Sequence, residues 1–118
     1  MNKGQYQTGV SGEQMAEEYL AARGMTCEAR RWRGGSGEID LIMRDGDYLV
    51  FVEVKYRPKS RAGTGLMAVT PAKRRRMVSA AMNYLMEQDD YRQPVRFDCV
   101  EITADGILHI PNAFAVDG

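Results

Sequence analysis

The chain has 118 residues, of which 44% are apolar and 27% charged, with 16 basic and 16 acidic residues. That length suits one domain with one core, and that apolar fraction excludes a disordered chain. A net charge of zero points to no partner by itself, and no segment approaches the ~20 apolar residues of a membrane helix.

The distribution of charge says more than its sum. Between Glu53 and Glu87 there is no acid, yet this interval holds Lys55, Arg57, Lys59, Arg61, Lys73, Arg74, Arg75 and Arg76. Half of the positive charge therefore lies in one uncompensated stretch, which suits a phosphate-rich partner. Cys27 and Cys99 show neither metal-binding nor redox spacing and read as small buried hydrophobes. The N-terminal "MNKGQYQTGVSGEQ" has no apolar run and is no secretory signal. The expectation is a soluble, cytoplasmic protein without membrane contact.

Residues 1–11 are polar and are expected to be flexible, ahead of a single domain over 12–110 and a tail over 111–118. A helix is predicted from about Gly12 to Arg23, capped by Ser11, with Met15, Ala16, Tyr19 and Leu20 on one face and Gly24 as its stop. "MTCEARRWR" reads as a strand that ends in the loop "GGSG". Runs 38–44 and 48–56 flank "DGD" and read as a hairpin, since Asp-Gly is a strong turn signal. From Pro58 to Thr70 the chain is a basic loop. A second helix is predicted from Thr70-Pro71 to about Gln88, with Thr as cap, Pro in the first turn and Met77, Ala80, Ala81, Tyr84 and Leu85 facing inward. "PVRFDCVEI" and "GILHI" follow as strands four and five. The order, helix, three strands, helix, two strands, predicts an α/β fold with a mixed five-stranded central sheet covered by helices.

The hairpin "GEIDLIMRDGDYLVFVEVK" carries charge where a core strand would not. Side chains alternate along a strand. With a two-residue turn, Glu38, Asp40, Glu53 and Lys55 share one face with Leu49 and Phe51. Ile39, Leu41, Met43, Tyr48, Val50, Val52 and Val54 fall on the other. A cross-strand Glu–Lys pair, worth ~0.2–1 kcal/mol, accounts for Lys55 and one acid. It leaves the other carboxylates, which about 4 Å apart would repel by roughly 4 kcal/mol at an effective dielectric near 20. A proton or a hard divalent cation, Mg²⁺ or Mn²⁺, would relieve this, and the absence of His and Cys from the cluster argues against zinc. Asp40 and Glu53 would hold such an ion, with the Val54 carbonyl as a further ligand and Lys55 placed to position water or stabilise charge on a phosphate. Arg57, Lys73 and Arg74, from the basic loop and helix start, would contact the phosphates of a nucleic acid. The implied chemistry is phosphodiester hydrolysis.

The pattern D-x12-E-V-K on a hairpin, between an N-terminal helix and a basic helix, resembles the PD-(D/E)xK nuclease superfamily. More narrowly, "GVSGEQMAEEYLAARG", "GEIDLI", "FVEVKYR", "AVTPAKRRRM" and "RFDCVEI" resemble the YraN-like family of small predicted endonucleases of the Holliday-junction-resolvase type. The resemblance spans roughly residues 9 to 103. It implies a restriction-endonuclease-like fold with helices on both sides of the sheet, a metal held by Asp40 and Glu53, and a catalytic Lys55. It also implies a role for Glu13 in completing the metal site and for Lys73 as a DNA contact. Arg31 stands where the family often has Asn, and Ile39 stands where the superfamily's formal motif has Pro.

Each residue also has a plainer reading. Glu38 could end its strand in solvent, Glu13 could answer a helix dipole, and "KRRR" could be a solvated helix face. Trp32 reads as core edge, His109 as structural, and Asp98 as a hydrogen-bond partner to a nearby helix. Tyr6, Tyr19, Tyr84 and Tyr91 read as packing or surface residues. The expected function is a divalent-metal-dependent endonuclease acting on DNA, branched or nicked. The alternatives are a nucleic-acid-binding protein that keeps the fold without cleaving, and a protein-interaction module with an incidental ion-pair cluster. A homodimer would follow only by analogy with junction resolvases.

Overall fold

A computed structural model describes residues 8–61, 70–89 and 92–114, excepting the side chains of 8–11. Residues 1–7 of the expected flexible segment, 62–69 of the basic loop, Tyr91 and residues 115–118 lie outside the described residues, and Tyr6 with them. The elements are α1 (Thr8–Ala22), β1 (Thr26–Gly34), β2 (Gly37–Asp45), β3 (Tyr48–Arg57), α2 (Pro71–Gln88), β4 (Val95–Thr103) and β5 (Gly106–Ile110). The expected α/β architecture is present, a mixed five-stranded sheet flanked by two helices. α1 starts at Thr8, four residues before the predicted start at Gly12.

The strands lie in sequence order, β1-β2-β3-β4-β5. All neighbours are antiparallel except β3 and β4, which run parallel. A parallel pair needs a crossover, and α2 supplies it. Thr70 caps α2 by accepting from the Lys73 N–H, with Pro71 in the first turn. Asp89 closes the helix in the left-handed conformation (φ 55°), its N–H reaching the Leu85 and Met86 carbonyls.

The two helices cover opposite faces. Met77, Ala80, Ala81, Tyr84 and Leu85 of α2 pack with Ile42, Leu49, Phe51 and Phe97. Ala16 and Leu20 of α1 pack with Leu41, Met43, Val50, Val52, Val100 and Ile102. β3 is therefore central and covered on both sides, so Leu49 through Glu53 are all buried. Phe114, beyond the predicted domain end, closes the α2 side by stacking on Phe97 at 4.9 Å. Trp32 sits at the core edge as expected, its Nε1 donating to the Ala80 carbonyl at 3.2 Å.

A buried polar knot fastens the far side of the sheet. Asp98 accepts from Arg96 Nε and Nη2 (2.9 and 3.0 Å) and from the Asn112 N–H (2.9 Å), and it bonds His109 Nε2 at 2.7 Å. Arg96 also reaches Asp45 at the hairpin turn, 3.1 Å away. Burial pushes the Asp98 carboxyl up, but the bonds from His109, Arg96 and Asn112 outweigh it and hold the group below its ordinary range. The expected bond to a helix is not made, because Asp98 has its partners within its own strand, in β5 and just beyond it.

The "GGSG" loop (34–37) lies against α2. A β-carbon on Gly37 would lie 2.4 Å from the Arg76 carbonyl oxygen, so only glycine lets the strand approach the helix this closely. Gly37→Ala is expected to cost about 1–3 kcal/mol through this overpacking. Urea unfolding would show a lower midpoint at unchanged slope, and an unchanged midpoint would mean that α2 is not seated on this loop.

Candidate functional site at the splayed end of the hairpin

The hairpin turn is Gly46-Asp47, since Asp45 pairs with Tyr48, and Gly46 takes φ 59°. This register would set Asp40 opposite Glu53. The ladder ends one step earlier, at Leu41↔Val52. Beyond it the Val54 N–H is not bonded to β2 backbone but donates to Asp40 Oδ2 at 2.8 Å. The carboxylate thus stands in the gap where the two strands part, satisfying an amide that would otherwise be an orphan.

The same break alters the faces. Glu53 and Lys55 do share the α2 side with Leu49 and Phe51. Ile39, however, packs with Ile42 on the α2 side rather than with Leu41 and Met43. Alternation fails at Asp40, and it fails on β1 at the same level. The pairs Arg30↔Leu41 and Trp32↔Ile39 skip Arg31, whose φ is 52°, a left-handed value. Tyr48, placed by simple alternation among the apolar residues, is 44% exposed because it stands at the turn.

Asp40, Glu53 and Glu38 line a cleft of about 240 Å³ with Lys73, Arg76 and Met77 of α2. Glu53 is 5% exposed, and one of its oxygens, Oε2, receives Lys55 Nζ at 3.0 Å and also Lys73 Nζ. Parity placed Glu53 and Lys55 together; the convergence of Lys73 depends on α2 docking across the sheet. Burial, then the negative charge of Glu53, push the Asp40 carboxyl up to about 7. Burial also lowers the Lys55 ammonium, helped by its neighbour Lys73. Burial works to lower Lys73 too, but its bonds to Glu53 and Lys55 and the charges of Glu53 and Asp40 prevail and raise it.

The other expected residues fall further out. Glu13 points from α1 to Arg31, whose Nε donates to its Oε1 at 2.8 Å, although its charge still reaches Asp40. Arg74 lies over the Phe114 ring, 5.4 Å from its centre, and Arg57, at the end of β3, is half-buried and does not line this cleft. Glu38 is half exposed and 3.8 Å from Arg33. Arg76 was not singled out from its basic run; its place in the cleft follows from helical spacing, three residues after Lys73 and next to the buried Met77. Among the described residues no three His, Cys, Asp or Glu side chains gather closely enough to hold a metal ion. No helix among them is long and apolar enough to cross a membrane.

The charge on Asp40 has a consequence for stability. Its folded pKa, about 7, exceeds the ordinary 3.8. Between these values the unfolded chain releases a proton that the folded chain keeps, so stability falls as pH rises from about 4 to 7 and then levels off. Asp40→Asn keeps an oxygen for the Val54 N–H and removes the charge. In EDTA at pH 8 it should be more stable than the parent, on the order of 2 kcal/mol, with the gap narrowing towards pH 4. Thermal or urea unfolding across this range would show it; a gap independent of pH would rule out the raised carboxyl as its origin.

Comparison with known proteins supplies the family. The model described as "Uncharacterised protein family UPF0102" matches residues 12–102. A UPF0102 protein of Nitrosococcus oceani is 44% identical over 114 residues, covering 92% of each chain. One of Symbiobacterium thermophilum is 50% identical over 111 residues, covering 90% of this chain and 94% of the relative. One of Saccharophagus degradans is 41% identical over 112 residues, covering 94% and 95%. The expected YraN-like resemblance agrees with this at the level of the family, and the chain belongs to UPF0102.

Proposed function

We propose that this protein is a metal-dependent nuclease of the PD-(D/E)xK superfamily that hydrolyses phosphodiester bonds in DNA. One observation carries the reading: the buried carboxylate of Glu53 and the half-buried one of Asp40 line one cleft with Lys73 and Arg76 of α2, and Glu53 is also paired with Lys55. A purely structural ion cluster would relieve its charges. Here Asp40 is burdened, pushed up to about 7, as is common where a site is built for chemistry.

The donor set fits a hard divalent cation in kind. It is all oxygen, and the mutual repulsion of Asp40 and Glu53 is what such an ion relieves. Asp40, Glu53 and the Val54 carbonyl would hold Mg²⁺ or Mn²⁺, which when bound polarises the phosphoryl oxygen and acidifies water. The chain's own groups do the rest. Lys55, next to Glu53, stabilises charge that develops on the phosphate. Lys73 and Arg76 in the first turns of α2 hold the nucleic-acid backbone in place. Water oxygen bonds to phosphorus as the ester P–O bond breaks, the water gives up a proton, and the leaving oxygen gains one.

A second reading has its own support. Glu53 already has two ammonium partners, which suits a nucleic-acid-binding protein that keeps the fold without cleaving. Incubation with nicked, flap, four-way and single-stranded DNA in Mg²⁺, Mn²⁺ or EDTA decides between them. Metal-dependent cleavage should fall by roughly two orders of magnitude or more in Asp40→Ala and Lys55→Ala, with DNA binding retained. Binding without cleavage on every substrate in both metals would leave the binder as the correct reading.

A further inference from the structure

α2 presents an outer face to solvent. Arg75, Met82 and Met86 fall within about 40° of one another around the helix, opposite the buried Met77, Ala80, Ala81 and Tyr84. Met82 is 49% exposed and Met86, one turn on, 56%. Side chains four apart on a helix are neighbours, so the two methionines form one apolar patch. Arg75 stands at one end of this stripe and Asp89, the exposed C-terminal cap, at the other. Among the described residues neither joins an ion pair.

The charges of α2 run against its dipole. Lys73 to Arg76 crowd its positive end, and Glu87 and Asp89 stand at its negative end, with no acid in the first turn and no base in the last. Phosphate contact accounts for Lys73 and Arg76, which line the cleft. It accounts neither for Arg75, on the outer side, nor for the acids at the far end. A second α2 laid antiparallel across the first answers both, since each basic end meets an acidic one and the two dipoles oppose.

The stripe is also self-complementary about Met82. Arg75 and Asp89 are each seven residues from it, and Val78 and Met86 each four. Val78 is half-buried and borders the stripe. With a two-fold axis at Met82, the two Met82 side chains meet, Val78 of one copy meets Met86 of the other, and Arg75 meets Asp89. A two-fold interface requires a patch that matches itself when reversed, and this one does. We propose that the outer face of α2 binds the same face of a second copy of this chain in an antiparallel, two-fold dimer. The interface is independent of the nuclease reading. It leaves the Asp40–Glu53 cleft of each copy open on the sheet side of α2, with the two Lys73 residues roughly 27 Å apart along the paired helices. One helix face is small beside the ~800 Å² per partner of a standard interface, so the dimer is weak, with a Kd on the order of 10–100 μM.

Sedimentation equilibrium of the full chain between about 1 and 500 μM should show a reversible monomer–dimer equilibrium. Met82→Glu sets two carboxylates face to face on the axis and should raise Kd at least about tenfold. Because residue 82 is exposed, its melting temperature at low micromolar concentration should stay within about 2 °C of the parent. Arg75→Gln and Asp89→Asn should each weaken the dimer roughly two- to fivefold, and together no more than either alone, because both remove the same pair. Asparagine suits position 89 because it tolerates the left-handed backbone there. In a Cys27→Ser background, Met82→Cys should form a disulfide-linked dimer under mild oxidation, since a residue on the axis meets itself. Ala21→Cys, exposed on α1, should not. A chain that stays monomeric throughout, or a dimer indifferent to Met82→Glu, would overturn the proposal. So would fully additive losses in the Arg75 and Asp89 variants, or cross-linking of Met82→Cys no faster than that of Ala21→Cys.

Discussion

Strand pairing between β2 and β3 stops after Leu41↔Val52, and the Val54 amide takes a carboxylate in place of a carbonyl. Much of the molecule follows from that substitution. An amide inside a sheet must be bonded, and Asp40 is the side chain within reach. Meeting this demand draws the carboxylate between two strands, out of water and towards Glu53 on the next strand. Burial and like charge then raise it, and the cations gathered nearby become necessary rather than incidental.

The two helices serve this opening from opposite faces. α2 crosses from β3 to β4 and sets Lys73 against Glu53, its closeness allowed by the missing side chain at Gly37. α1 covers the other face and brings Glu13 to Arg31. Far from the site, Asp98 ties Arg96, His109 and Asn112 together, and Arg96 reaches the hairpin turn through Asp45. The end of the hairpin that is tied down and the end that is open are thus distinct.

Charge follows the same division. Asp98, though buried, is answered by enough donors to stay below its ordinary range; Asp40, with one amide, is not. The first is a fastener whose partners lie on its own strand, in β5 and in the residues just after it. The second sits where an added cation would lower the electrostatic energy.

The order of elements, the cap of α2, the two-residue turn and the shared face of Glu53 and Lys55 were all legible in the sequence. Each rests on local rules, capping, turn chemistry and the period of two, that act over a few residues. Alternation misplaced Ile39 because it assumes a regular pleat, and the alternation of faces fails at Asp40 on β2 and at Arg31 on β1. Nothing in "RRWR" or "EIDLI" announces that break, since it arises from three strands meeting. The partners of Asp98, the docking of Lys73 on Glu53 and the diversion of Glu13 to Arg31 likewise join residues far apart in the chain. The sequence by itself determined which groups the hairpin would carry and on which side of β3 they would stand. Only the tertiary structure decided which of them meet, because that depends on where two helices dock and where one strand pair lets go.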